Sequence, residues 1–134
     1  MRIDRIEPAR HYPPFYGYVG LKVEEEGWIT LPSRPELTNS RGAVHGGAVA
    51  TLLDAALARA IRGAVPPDTG LATIDMSVHF LKPAVSPSVI AQGKVLHVGG
   101  TVAYAEAEVV TEDGVLVAHG VGSYRLRRPQ EDKG

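Results

Sequence analysis

From Gly46 to Arg62 the chain reads GGAVATLLDAALARAIR, a run of alanine and leucine with one β-branched polar residue, Thr51, and it stops at Gly63 ahead of Pro66-Pro67. Alanine and leucine are strong helix formers, and a glycine followed by prolines ends a helix, so the run predicts a single helix over 46–62. A surface helix shows one apolar stripe. This segment is apolar nearly all round, so it must be surrounded by protein, and the rest of the chain has to wrap it.

The material for wrapping follows Asp68. Leu71 to Leu81, Val85 to His97, Thr101 to Thr111 and Val115 to Leu126 all read as strands, separated by Lys82-Pro83, Gly99-Gly100 and Asp113-Gly114. Long strands with tight connections predict an antiparallel meander. In the third of them Ala103, Ala105, Ala107 and Val109 fall on one face, and Val102, Tyr104, Glu106 and Glu108 on the other. The alanine face admits a closely packed helix. The expected architecture is therefore α+β, a strongly curved antiparallel sheet wrapped around one long central helix. Upstream, Val19 to Leu31 reads as two short strands about Glu24-Glu25-Glu26-Gly27, ended by Pro32 and Pro35, with a polar, proline-broken loop on to Val44. Residues 1–14, holding Pro8, Pro13 and Pro14, read as an irregular lead-in, and 127–134 as a polar tail. With 134 residues, no internal repeat and no linker-like stretch, a single domain over 1–134 is expected.

Composition narrows the function. Apolar residues at 44% and charged residues at 22% are those of a soluble globular protein. A net charge of -1 offers no general attraction to nucleic acid, although Arg125, Arg127 and Arg128 form a local basic end able to meet phosphate. The absence of cysteine excludes disulfides, thiolate zinc sites and a cysteine nucleophile. The N-terminus carries Asp4 and Glu7 and lacks an uninterrupted apolar stretch, so it does not read as a targeting peptide, and the apolar run at 48–61 is too short to span a bilayer, so a cytoplasmic protein without a membrane partner is expected.

The chemistry concentrates at the helix start, in Asn39-x-x-Gly42-x-x-His45-Gly46-Gly47-x-x-x-x-Leu52-x-Asp54. Paired glycines there leave the first amide N–H groups, which lack helical partners, open to an anion or a developing oxyanion, or else serve close packing. Asp54 sits mid-helix among Leu52, Leu53, Ala55 and Ala56, with no cation at Ala50 or Ala58. A carboxylate in such surroundings, without a partner, has its pKa raised by desolvation, which suits a general base or nucleophile; an interface aspartate, or one paired with a distant arginine, is the alternative. Gly47 and Asp54 are seven residues apart, about 10 Å along a helix axis. One carbonyl cannot touch both. If they serve one reaction, they come from two chains related by a two-fold axis, which makes a homodimer a requirement of the chemistry. His11, His79, His97 and His119 show no metal-ligand spacing, and no nucleotide-binding glycine pattern or G-x-S-x-G elbow is present, so neither metal nor cofactor is expected.

This motif resembles the helix-start pattern of the PaaI-like hotdog-fold acyl-CoA thioesterases, Asn-x-x-Gly-x-x-His-Gly-Gly followed by Leu-x-Asp, and every position matches. The resemblance extends from about Tyr16 to Leu126 and includes Asp75-Met76-Ser77-Val78-His79-Phe80-Leu81-Lys82-Pro83-Ala84. It implies an acyl-CoA substrate and no separate cofactor, since coenzyme A is part of the substrate. It implies that Asp54 activates water or attacks the thioester, that Asn39 and the Gly46 amide polarise the carbonyl, that His45 orients the turn, and that Thr73 positions the attacking water. Gly47, Lys82, Gly99 and Gly100 then fall on the substrate side. It also implies a dimer with shared sites; assembly of such dimers to a tetramer is expected, with the sequence itself leaving dimer and tetramer open. One departure stands out, since family members often carry Arg or Lys where this chain has Gly100. The grip on the coenzyme A phosphates then falls to Lys82 or the C-terminal arginines. Two rivals are weighed: a hotdog enoyl-CoA hydratase or dehydratase, whose Asp-x-Asn-Pro signature is absent around Asn39, and a non-enzymatic acyl-CoA sensor, for whose effector element no residues are left over.

Overall fold

The structure, a computed structural model, describes residues 12–24 and 27–129. Its elements are α1 (Pro14–Val19), β1 (Lys22–Val23), β2 (Ile29–Pro32), a 3-10 turn (Pro35–Leu37), α2 (Gly46–Arg62), β3 (Gly70–Phe80), β4 (Ser88–Val98), β5 (Val102–Thr111) and β6 (Leu116–Arg127). The strands form one six-stranded sheet in the order β1-β2-β4-β5-β6-β3, and each neighbouring pair is antiparallel.

The central helix occupies the expected residues and stops at Gly63, whose N–H closes on the Arg59 carbonyl. Leu52, Leu53, Leu57 and Ile61 are fully buried, and no residue from Ala48 to Arg62 is exposed. Burying a leucine or isoleucine side chain stabilises by about 1.5–3 kcal/mol, so this face anchors the fold. The small-residue face of β5 meets it, with Ala103, Ala105, Ala107 and Val109 all buried. On β4 the contact is closer still, because a Cβ at Gly93 would run into the Ala56 carbonyl oxygen and come within 3.1 Å of Ala60 Cβ.

Two expectations need correction. The four long strands are not a meander: β4, β5 and β6 are consecutive neighbours, but β3 pairs with β6 and lies at the far edge of the sheet. The connection after β3 is a loop holding Pro83 and Pro87, tied to β6 by the Leu81 amide donating to the Val117 carbonyl, and not a tight hairpin. Val19 does not open a strand, and Pro14 does not end an irregular lead-in: both belong to a helix ahead of β1. Residues 14–19 form a short helix that opens with Pro14 at its first position and closes on Gly20 at φ 99°, where glycine is at ease. The greater part of the lead-in, residues 1–11, and the end of the tail, residues 130–134, lie outside the described residues. No helix among the described residues is long and apolar enough to cross a membrane.

Candidate active site

The loop ahead of α2 is tied to itself. The Asn39 amide donates to the Ala43 carbonyl, Gly42 turns through φ 84°, and Asn39 Oδ1 accepts from the amides of Arg41 at 2.9 Å and Ala43 at 3.1 Å. With its carboxamide oxygen committed, Asn39 offers the amino group as the free end of its side chain. His45 is the N-cap of α2, and its Nδ1 accepts the Gly47 amide at 2.8 Å. That acceptance requires an unprotonated Nδ1, so the ring proton sits on Nε2. The Ala48 and Val49 amides close on the His45 carbonyl. The Gly46 N–H is thus the amide of this turn with no hydrogen bond among the described residues. Gly47, by contrast, spends its donor within the chain.

Asn39, Gly46 and Lys82 line one cleft of about 580 Å³, together with Arg41, Phe80 and Val85. Arg41 is a second cation that sequence reasoning did not single out. Gly99 and Gly100 lie elsewhere: their carbonyls accept the Arg128 guanidinium at 3.0 and 3.3 Å, beside Pro66 and Pro67. The structure therefore brings together Asn39, Gly46 and Lys82 but keeps the Gly99-Gly100 turn apart from them within one chain.

Asp54 does not line that cleft. It sits eight residues into α2, about 12 Å along the axis from Gly46. The expectation that it lacks a partner is wrong. Its Oδ1 accepts from the Tyr124 hydroxyl at 2.5 Å and from the Thr73 hydroxyl at 3.1 Å, and the same phenol lies 3.1 Å from the Asp54 main-chain oxygen. These donors come from β6 and β3, which the register sets side by side, Thr73 opposite Tyr124. Thr73 therefore stands next to the acid, as the resemblance implies, but its proton is given to the carboxylate.

Sequence reasoning missed Tyr124 and Tyr16. Tyr124 is 1% exposed and belongs to the inward row of β6. A phenol among apolar inward residues signals a buried partner, and that signal was available. Burial, with the hydrogen bond and charge of Asp54 added, holds its phenol far above the ordinary range and keeps it a donor. Tyr16, on α1, is pushed up to about 12 by burial first and by the Asp54 charge second. Tyr12 packs edge-on against it at 5.7 Å. Among the described residues no group of histidine, aspartate and glutamate could hold a metal ion.

Residues 41–118 match the family model described as the thioesterase superfamily. The chain belongs to the thioesterase superfamily. It is 39% identical over 126 residues to a Halobacterium salinarum protein named "Putative esterase", covering 83% of each chain. A Saccharolobus solfataricus protein of the same name is 30% identical over 105 residues, covering 75% of this chain and 71% of that one. Among solved structures, a Bacillus halodurans protein crystallised with CoA superposes with a TM-score of 0.78 at 27% identity, over 92% of this chain and 82% of that one. A Shewanella oneidensis protein related to the thioesterase superfamily gives 0.77 at 28% identity, over 85% and 87%. The curved sheet around α2 is the hotdog fold of this superfamily.

Proposed function

We propose that this thioesterase-superfamily protein hydrolyses acyl- or aryl-acyl-CoA thioesters to the free acid and CoA. The observation that carries the reading is the Gly46 N–H at the start of α2, which shares one cleft with the amino group of Asn39, both without a hydrogen bond among the described residues. Two donors converging where charge builds on a carbonyl oxygen are what acyl transfer requires. Lys82 and Arg41 on the same cleft supply positive charge for phosphate groups, whereas the Arg128 guanidinium is engaged by Gly99 and Gly100. The Bacillus halodurans relative bound to CoA supports the ligand class.

Asp54 supplies the other half of the chemistry, from the neighbouring chain. The acid takes a proton as water attacks the carbonyl carbon and the carbon–sulfur bond breaks, or it attacks that carbon itself, expelling the thiolate and forming a mixed anhydride that water then hydrolyses to the free acid and the restored carboxylate; in both cases the leaving thiolate takes up the proton that water releases. Two features support a shared site. Asp54 and Gly46 are about 12 Å apart on one helix, and β3, eleven residues long, is an edge strand whose outer side is unpaired among the described residues. Ile74 in that strand and Phe80 at its end are 55% and 57% exposed. A long exposed edge is a template for pairing with another chain, and two-fold pairing at that edge is the assembly we propose to bring the helix start of one protomer to the helix middle of the other. Dimers of this kind have their remaining faces free to pair again into a tetramer.

The test is a screen of aromatic, short-chain and long-chain acyl-CoA substrates with a thiol-trapping readout, run on wild type and Asp54→Asn. We expect turnover of at least one class and a fall in kcat of at least about a hundredfold in the variant, which keeps its shape but lacks the basic carboxylate. A folded, fully active Asp54→Asn protein would contradict the mechanism.

A further inference from the structure

We infer that Tyr124 is a positioning residue for the acid: with Thr73 it saturates Oδ1 of Asp54, leaving Oδ2 as the oxygen that meets water or the thioester. The inference rests on the thioesterase reading above and adds to it a residue and an assignment of the two carboxylate oxygens.

Both donors reach the same oxygen, Tyr124 at 2.5 Å and Thr73 at 3.1 Å, and Oδ2 has no hydrogen bond among the described residues. A carboxylate on a helix would otherwise rotate about its side-chain torsions. Donors from two different strands fix the plane of the group, so one oxygen is held inward and the other is presented outward. The core is cut to let the phenol through. A Cβ at Gly122, two residues earlier on the inward face of β6, would stand 3.3 Å from the Tyr124 ring and 3.0 Å from Leu57 Cδ1. The residue paired with Tyr124 on β5 is Ala103, another small side chain. Space kept by a glycine and an alanine lets the ring lean toward α2 instead of standing across the sheet.

The groups that face this pair are few. Asp54 comes from α2, Thr73 from β3 and Tyr16 from α1, and among the described residues no cation forms an ion pair with Asp54. The carboxylate's charge is thus met by hydroxyl donors, and removing one has a predictable sign. Losing a donor to the charged form disfavours that form, so the acidic limb of activity must move to higher pH.

The experiment compares wild type, Tyr124→Phe, Asp54→Asn and the double variant. Tyr124→Phe keeps the ring and the packing. We expect its kcat to fall about tenfold to a hundredfold, the scale of a hydrogen bond to a charged group, with KM little changed and the acidic limb of kcat/KM displaced upward. On the Asp54→Asn background the same substitution should change the residual rate by less than about twofold, because its effect passes through the carboxylate. A readout independent of turnover is the carbon-13 signal of the Asp54 carboxyl, which should titrate at higher pH in Tyr124→Phe than in wild type. Gly122→Ala, which pushes on the ring, should move that signal the same way. An unshifted carboxyl titration, or an equal loss of rate with and without Asp54, overturns the assignment. A shifted titration in a protein that turns over no thioester would instead uphold the positioning and overturn the thioesterase reading.

Discussion

Nδ1 of His45 accepts the amide proton of Gly47 at 2.8 Å, so that of the two glycines it is Gly46 whose N–H has no hydrogen bond among the described residues. The cap consumes one of the unpaired donors at the start of α2 and holds the turn in which the neighbouring Gly46 N–H stays free.

We therefore expect His45→Ala to cost about 1 kcal/mol of stability, the usual cost of losing an N-cap, and to lower kcat as the turn loosens. His45→Ser, which restores a capping oxygen, should recover most of the stability and part of the rate. Thermal melts and steady-state kinetics on the two variants decide it. Equal loss in both would give the imidazole a role beyond capping.

The contact of α2 with β4 leaves no space for a methyl group, since a Cβ at Gly93 would meet the Ala56 carbonyl and the Ala60 side chain. Gly93→Ala should destabilise by roughly 1–3 kcal/mol through overpacking, read as a lower denaturation midpoint. A neutral substitution would mean that the helix sits further from the sheet than the structure places it.

Tyr16 gives the protein a dependence on alkaline pH. Its phenol is raised from 10.0 to about 12 in the folded state, first by burial and then by the Asp54 charge. Above about 10 the unfolded chain loses this proton while the folded chain keeps it, so the contribution is whole below 10 and is lost as the pH rises toward 12. Tyr124, also raised, acts in the same direction. Denaturant midpoints followed across that window should fall less steeply in Tyr16→Phe. An unchanged slope would assign the alkaline loss to other groups.

The sequence made some of this legible and not the rest, for physical reasons. The bounds of α2 could be read because propensity, the glycine stop and the following prolines all agree on them. The inward face of β5 could be read because alternation with a period of two marks it. That alternation is the same whichever strand lies alongside, so the placement of β3 beside β6 was hidden, and the proline-bearing connection after Phe80 was mistaken for a tight one. The six residues of α1 include Gly17 and three aromatics, too short and mixed a stretch for periodicity to register. Asp54, Asn39, His45 and Gly46 were found because they lie within one local motif. Tyr124, seventy residues from Asp54, is brought to it only by strand register, which no local pattern encodes.

Asn39 and Asp54 should respond differently to loss. Asn39→Ala removes a neutral donor to a developing oxyanion, so kcat should drop by roughly ten to a thousandfold with a smaller change in KM. A change confined to KM would make Asn39 a binding residue.

The central claim, a site built from Asn39 and Gly46 of one chain and Asp54 of another, is tested most directly by mixing two impaired proteins. Asn39→Ala and Asp54→Asn homodimers are unfolded together, refolded, checked for hybrid formation by size-exclusion chromatography and mass spectrometry, and assayed for thioester hydrolysis. In a hybrid both lesions fall in one site and the other site is wholly wild type. Random exchange makes about half the dimers hybrids, so activity should rise to roughly one quarter of the wild-type value per total sites. Demonstrated hybrids with no recovered activity would show that each site is assembled within a single chain, and would contradict the account.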